Sequence, residues 1–298
     1  MGISRRVVLS GGAALLAAAA VTGFELVDHA VLPGKGRLDE ALGRCDATPP
    51  APLTASAPLP SIGSFPSRLR GRPVSYALAY PPGSRRGAKL PVCLALHGFG
   101  SDALSAVNTG NYPRLMADLV TAGGRPFVLA AADGGGGYWH PHAASGDDPL
   151  GMLFEEFLPM LGAEYGLESE RVAVAGWSMG GYGALLSALT YRDRVSYVVA
   201  SSPAIFRDYD DAEHVNPGAY DSRAEWDRYD ITARASELSG VPMRIDIGSA
   251  DPFAPTVHRL RDHLPDPAVV TFSTGCHDGR YWDAVAPSQV ASIAKALS

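Results

Sequence analysis

Cysteine is scarce in this chain. Three occur in 298 residues, Cys45, Cys93 and Cys276, and their spacing fits neither a zinc-ligand set nor a dense disulfide framework. A Cys45–Cys276 bridge is compatible with the count. Cys93 lies in the apolar run Leu90-Pro91-Val92-Cys93-Leu94-Ala95-Leu96 and reads as a buried free thiol. Charge is sparse too, at 19% of residues, with a net charge of −6 and no long basic run beyond the N-terminus. That composition lacks the electrostatic footprint of a nucleic-acid binder. No internal repeat is present, so a solenoid or propeller array is not indicated. What the chain does have is 46% hydrophobic residues, enough for one large globular domain with a real core.

The N-terminus carries an address. Ser4-Arg5-Arg6-Val7-Val8-Leu9-Ser10 precedes an Ala-rich apolar stretch that runs to about Val27. Paired arginines before such a stretch resemble a twin-arginine export signal. Ala18-Ala19-Ala20 offers an A-x-A cleavage site, while the apolar run approaches the ~20 residues that span a membrane. The expectation is an exported, extracytoplasmic protein, either released or held by a membrane tether. Ala47–Pro60 is rich in Pro and Ala and reads as an extended linker. The chain therefore divides into an export signal or anchor (1–30), a linker (31–62) and a main domain (63–298).

From about Ser64 short apolar runs alternate with helical stretches. Strands are predicted at Val74–Tyr80, Pro91–Leu96, Phe127–Ala132, Val172–Ala175, Ser196–Ser201, Met243–Ile247 and Val269–Phe272. Helices are predicted at Tyr112–Ala122, Pro149–Tyr165, Met179–Leu189, Pro255–Leu264 and Tyr281–Leu297. This alternation predicts an α/β fold, with a mostly parallel sheet covered on both faces. Ser64–Leu69 and Val74–Tyr80, joined by Arg70-Gly71-Arg72-Pro73, predict an antiparallel hairpin at one edge. Phe206–Gly240 breaks the rhythm. It is polar, holds Tyr209, Tyr220, Trp226 and Tyr229, and reads either as a substrate-facing lid or as a locally packed excursion.

Gly176-Trp177-Ser178-Met179-Gly180-Gly181 sits between a predicted strand and a predicted helix. That is where a nucleophile elbow places its serine. Glycines permit the sharp turn, and the following helix N-terminus favours developing negative charge. A serine hydroxyl needs a base, and the base needs an acid to orient it. His277 follows the last strand in a short loop at the carboxyl edge of the sheet, where catalytic groups belong. His258 and His263 fall on a helix, and His214 falls in the polar segment. The acid belongs after the preceding strand: Asp251 by position, with Asp246 as fallback. Asp251 is open to a second reading, as a helix N-cap. Two backbone N–H groups must form an oxyanion hole. Met179 supplies one, and Phe99, in Leu96-His97-Gly98-Phe99-Gly100, supplies the other; His97 is read as bracing that turn. Tyr138-Trp139-His140-Pro141-His142, ahead of Asp147-Asp148, lacks the spacing of a known metal-ligand set. It reads as a loop shaping the cleft, with Trp139 as a stacking surface, and no metal or other cofactor is expected. Trp177 and Trp282 complete the expected substrate-binding residues.

Gly176-Trp177-Ser178-Met179-Gly180-Gly181-Tyr182-Gly183-Ala184-Leu185 resembles the elbow of the esterase-D-type putative esterases. These belong to the α/β-hydrolase superfamily, alongside feruloyl esterases and secreted mycolyltransferases. His277-Asp278-Gly279-Arg280-Tyr281-Trp282 is similar to the mycolyltransferase histidine motif. The resemblance covers about Ser64–Ser298. It implies an α/β-hydrolase fold and acyl-ester chemistry at Ser178, Asp251 and His277, with Phe99 and Met179 as oxyanion donors. Trp177 and Asp251 depart from the Leu and Glu usual in mycolyltransferases. Hydrolysis of a small-molecule or cell-envelope ester is therefore expected, with envelope acyl transfer as the alternative. A non-catalytic surface binding protein on the same scaffold ranks last.

Overall fold

The computed structural model describes residues 35–298, and the expected export signal or anchor (1–30) lies outside the described residues. Among those residues, no helix is long and apolar enough to cross a membrane. The chain falls into two compact units that divide after Asp46. In the first, α1 (Lys35–Ala41) buries Asp39, which Lys35 and Arg44 hold at 3.0 and 2.9 Å. The expected linker thus contains a short helix.

The second unit runs from Ala47 to Ser298. Its strands are β1 (Ser61–Ser67), β2 (Arg72–Ala79), β3 (Pro91–Leu96), β4 (Val128–Ala132), β5 (Glu168–Trp177), β6 (Val195–Ser201), β7 (Met243–Gly248) and β8 (Val270–Ser273). They form one sheet in the order β1-β2-β4-β3-β5-β6-β7-β8. β2 is antiparallel to both neighbours, and β3 to β8 are parallel. The β1–β2 edge hairpin expected from Arg70-Gly71-Arg72-Pro73 is present. The helices are α2 (Ala103–Asn108), α3 (Tyr112–Thr121), α4 (Leu158–Tyr165), α5 (Met179–Thr190), α6 (Tyr209–Val215), α7 (Arg223–Tyr229), α8 (Ala254–His263) and α9 (Gly279–Ala296). A π-helical turn, Met152–Phe157, leads into α4.

β3 and β4 are apolar and buried throughout because helices cover both faces. Strand alternation still sorts the two sides. One face carries Leu94, Val174 and Val198 against Phe157, Tyr182 and Leu186. The other carries Cys93, Ala95, Ala173 and Ala175 against Val107, Met116 and Ile293. Cys93 is a free thiol there, its pKa raised by burial. Cys45 and Cys276 are each disulfide-bonded.

Residues 47–60 form no regular structure, yet they do not hang free as a linker would. Asp118 of α3 accepts from Thr54 Oγ1 and Ala55 N, both at 3.0 Å. One turn earlier, Arg114 donates to the carbonyls of Leu53 and Ala55 at 2.8 and 3.1 Å. Two side chains at helical spacing thereby satisfy an extended backbone.

The aromatic segment between β6 and β7 forms α6 and α7. Tyr220 and Trp226 are buried and meet edge-on at 5.1 Å. Tyr220 stacks on His140 at 4.7 Å. Local packing, not presentation to solvent, accounts for these two rings.

Candidate active site

Ser178 stands between β5 and α5 with φ 55° and ψ −120°. A non-glycine residue with this backbone costs on the order of 1–3 kcal/mol, so its surroundings must impose it. They do so by hydrogen bonds and by close approach. Ser178 N donates to Ser201 O at 3.0 Å, and its carbonyl accepts from Tyr182 N and Ala204 N at 3.1 and 3.0 Å. A Cβ on Gly180 would lie 2.0 Å from Leu96 O, and one on Gly176 would lie 2.1 Å from Gly180 O. Only glycine fits at either position, which is the physical reason the elbow reads G-x-S-x-G.

The parallel strands deliver the partners to the same edge. His277 sits between β8 and α9, whose first turn is capped by Asp278 accepting from Tyr281 N at 3.1 Å. Asp251 follows β7. The Asp251 Oδ2 to His277 Nδ1 distance is 2.8 Å, and His277 Nε2 lies 2.9 Å from Ser178 Oγ. An ionised carboxylate can only accept, so Nδ1 carries the proton and the Nε2 lone pair faces the hydroxyl. Asp251 Oδ1 accepts from Phe253 N at 2.9 Å, which fixes the carboxylate plane. Asp246, the fallback acid, is engaged elsewhere: its Oδ2 accepts from Arg244 and Gln289, each at 2.7 Å, inside the core.

The loop after β3 passes close to the nucleophile. A Cβ on Gly98 would lie 3.5 Å from Ser178 Cβ. Phe99 follows with its side chain 62% exposed, and Met179 is buried at the start of α5. The two expected oxyanion donors therefore belong to segments that border Ser178. His97 braces this loop. Its Nε2 accepts from Gly134 N at 2.9 Å, and its Nδ1 donates to Gly98 O at 2.8 Å. Burial holds its pKa below the ordinary imidazole value.

The three tryptophans part company. Trp282 is half-buried and edge-on to His277 at 5.6 Å, and Phe253, which the sequence did not single out, meets the same ring at 5.4 Å. Trp177 is not a substrate surface. It follows Ala173 and Ala175 onto the opposite face of the sheet and packs against Tyr112 at 5.0 Å. Trp139 is not one either. It is fully buried, 4.9 Å from the His97 ring, in space left by the missing side chains of Gly134 and Gly183. The acids beside it are likewise structural: Asp147 pairs with Arg70 at 3.0 Å, and Asp148 accepts from Gly151 N at 2.7 Å.

A strained serine after a parallel strand, relayed through histidine to a buried carboxylate, defines a serine hydrolase of the α/β-hydrolase fold. Residues 67–264 match the family described as "Putative esterase"; this chain belongs to that family and is a serine esterase. Over 210 residues it is 27% identical to an S-formylglutathione hydrolase of Paracoccus denitrificans (strain Pd 1222), spanning 63% of this chain and 73% of the relative. Among solved structures, a ferulic acid esterase superposes with TM-score 0.67 at 20% identity, covering 80% of this chain and 96% of its own. An S-formylglutathione hydrolase from Agrobacterium tumefaciens also gives TM-score 0.67 at 20% identity, covering 82% and 98%.

Proposed function

We propose that this chain is an exported carboxylic-ester hydrolase that works through an acyl-enzyme on Ser178. The unbroken relay Ser178–His277–Asp251 is the observation that carries this reading. Ser178 Oγ attacks the ester carbonyl as its proton passes to His277 Nε2. The imidazolium so formed donates through Nδ1 to Asp251. The backbone N–H groups of Met179 and Phe99 receive the tetrahedral oxyanion. His277 returns the proton to the leaving alkoxide, and the alcohol departs. A water, deprotonated by the same nitrogen, then releases the acid. Every proton is accounted for by side chains of this chain.

Export rests on Arg5-Arg6 ahead of the apolar stretch. Cell fractionation with Arg5 and Arg6 changed to Lys tests it: retention in the cytoplasm supports the route, and unchanged distribution overturns it. The chemistry is tested by fluorophosphonate labelling of the wild type and Ser178→Ala, where labelling of both, or of neither folded protein, overturns the mechanism. Half-exposed Ser178 and His277 leave the acyl-enzyme open to an acceptor alcohol, which favours envelope acyl transfer as the second reading. Product analysis with and without added alcohol separates the two: transfer yields a new ester in proportion to the acceptor, and hydrolysis yields free acid alone.

A further inference from the structure

The segment 134–142 and the insertion between β6 and β7 meet at a second cluster of titratable groups, which the ester chemistry does not use. His140, His142 and Glu225 are all buried, and one potential ligand atom from each lies within 4.8 Å of the others. His142 Nε2 is 2.7 Å from the carbonyl oxygen of Gly137. A carbonyl only accepts, so in the neutral ring this nitrogen carries the proton. The lone pair then sits on Nδ1, which faces Asp221 Oδ1 at 3.1 Å and Glu225 Oε2 at 3.8 Å. Electron pairs on His142 Nδ1, Glu225 Oε2 and Asp221 Oδ1 converge, with only the Asp221 N–H donating to Glu225 Oε2, and for the two buried residues that is unfavourable unless positive charge lies among them. His140 repeats the conflict. Its Nε2 is 2.7 Å from Ala219 O and its Nδ1 is 3.0 Å from Pro141 O. Two neutral imidazoles bring two protons to a set of partners made only of acceptors.

We propose that His140, His142 and Glu225 form a binding site for one divalent transition-metal ion of the zinc type, with Asp221 beside His142 at its rim. Ligand atoms at about 2.0–2.2 Å from Zn²⁺ in a tetrahedron lie roughly 3.3–3.6 Å from one another. The 3.8 Å between His142 Nδ1 and Glu225 Oε2 lies near that spacing, and all three potential ligand atoms lie within 4.8 Å of one another. Two imidazoles with one carboxylate select such an ion over Ca²⁺ or Mg²⁺, which favour oxygen throughout. The carboxylates are held in place by backbone donors, as metal ligands commonly are. Asp221 Oδ2 accepts from Ala144 N at 2.7 Å, and Glu225 Oε1 accepts from Ala143 N at 3.2 Å. A cavity of about 620 Å³ is lined by His142 and Glu225 and gives an ion its way in.

The ion has a structural task. It fastens α7, through Glu225, to the segment 137–142. That segment continues from Gly136, whose carbonyl accepts from Asn216 Nδ2 at 3.2 Å and beside which the Phe99 ring packs. The insertion is thereby joined to the wall behind the oxyanion loop. The spacing His140-Pro141-His142 is no ligand motif by itself, and the acids come from about eighty residues away.

The test uses the full chain without a histidine tag, stripped with dipicolinate. Calorimetric titration with Zn²⁺ should give one ion per chain, and Co²⁺ should give visible absorption bands of a tetrahedral site. Zn²⁺ should raise the melting temperature of the stripped protein. Glu225→Gln and His142→Gln should each weaken Zn²⁺ binding by about tenfold or more, with esterase activity reporting that each remains folded. If His142→Gln does not fold, Glu225→Gln and the wild-type Co²⁺ spectrum still decide. Absence of stoichiometric uptake by folded wild type, at about a hundredfold excess of Zn²⁺, overturns the proposal and leaves protons as the balancing charge. Uptake that both substitutions leave unchanged also overturns it.

Discussion

His277 and His142 each present both ring nitrogens to a partner, yet the partners differ in kind. His277 faces a carboxylate on one side and a hydroxyl on the other. The hydroxyl can donate or accept, so the ring is satisfied whether it holds one proton or two. His142 faces a carbonyl on one side and carboxylates on the other. It is satisfied only when positive charge is present there, as a bound cation or as a second proton on the ring. The first arrangement suits a group that must gain and lose a proton at each turnover, and it sits half-exposed where substrate arrives. The second suits a permanent charge and is buried. Histidine in a cleft is thus read by what its two nitrogens meet, before any question of burial or neighbours.

The comparison breaks most sharply at the nucleophile. Ser178→Ala should lower kcat by about 10⁶ and Asp251→Asn by about 10⁴, the latter by freeing the wrong tautomer. Both should melt as the wild type does, measured by calorimetry alongside ester turnover. A loss of stability equal to the loss of activity would place these residues among the structural ones instead. Next comes the buried side of the comparison. Trp139→Ala removes a fully buried ring and should cost about 3–5 kcal/mol in urea unfolding, with KM for small esters unchanged. A shift in KM without loss of stability would restore Trp139 to the cleft. Trp282→Ala should do the reverse, lowering kcat about tenfold by loosening the His277 ring while sparing stability. The smallest effect concerns His97. Its folded pKa lies below the ordinary 6.5, so the unfolded chain takes up the extra proton. Stability is therefore complete above that value and declines as pH falls through it. Melting temperature measured against pH should carry this slope, and His97→Gln should flatten it.

Much of the frame was legible beforehand. The parallel strands announced themselves as short apolar runs ending in Gly, Asp or Ser, and α5 and α9 as long periodic stretches. The triad could be placed because one sheet edge collects the loops after β5, β7 and β8. What escaped was set by contacts between distant segments. The direction in which Trp177 points depends on β5 alternation, since a residue at the end of a strand belongs to whichever face its register dictates. Trp139 looks exposed in a glycine-rich loop, but those glycines make room for it to sink inward. Glu225 and Asp221 had no local signal linking them to His140 and His142, because folding alone brings the insertion onto that loop. The segment 47–60 read as an extended linker because Pro and Ala carry no trace of Arg114 and Asp118.

The packing of Gly176, Gly180 and Leu96 carries a lesson for anyone who would diversify this chain by mutagenesis. The position of the Ser178 hydroxyl is set by backbone touching backbone, with no side chain in between that could be exchanged and compensated. A library at Gly176 or Gly180 should return almost nothing but the parent sequence. Phe253 and Trp282 flank the His277 ring, and Phe99 follows Gly98 beside Ser178, on loops and a helix face where side chains can change size without moving the hydroxyl. New acyl preferences should emerge from those three positions, against a serine that does not drift.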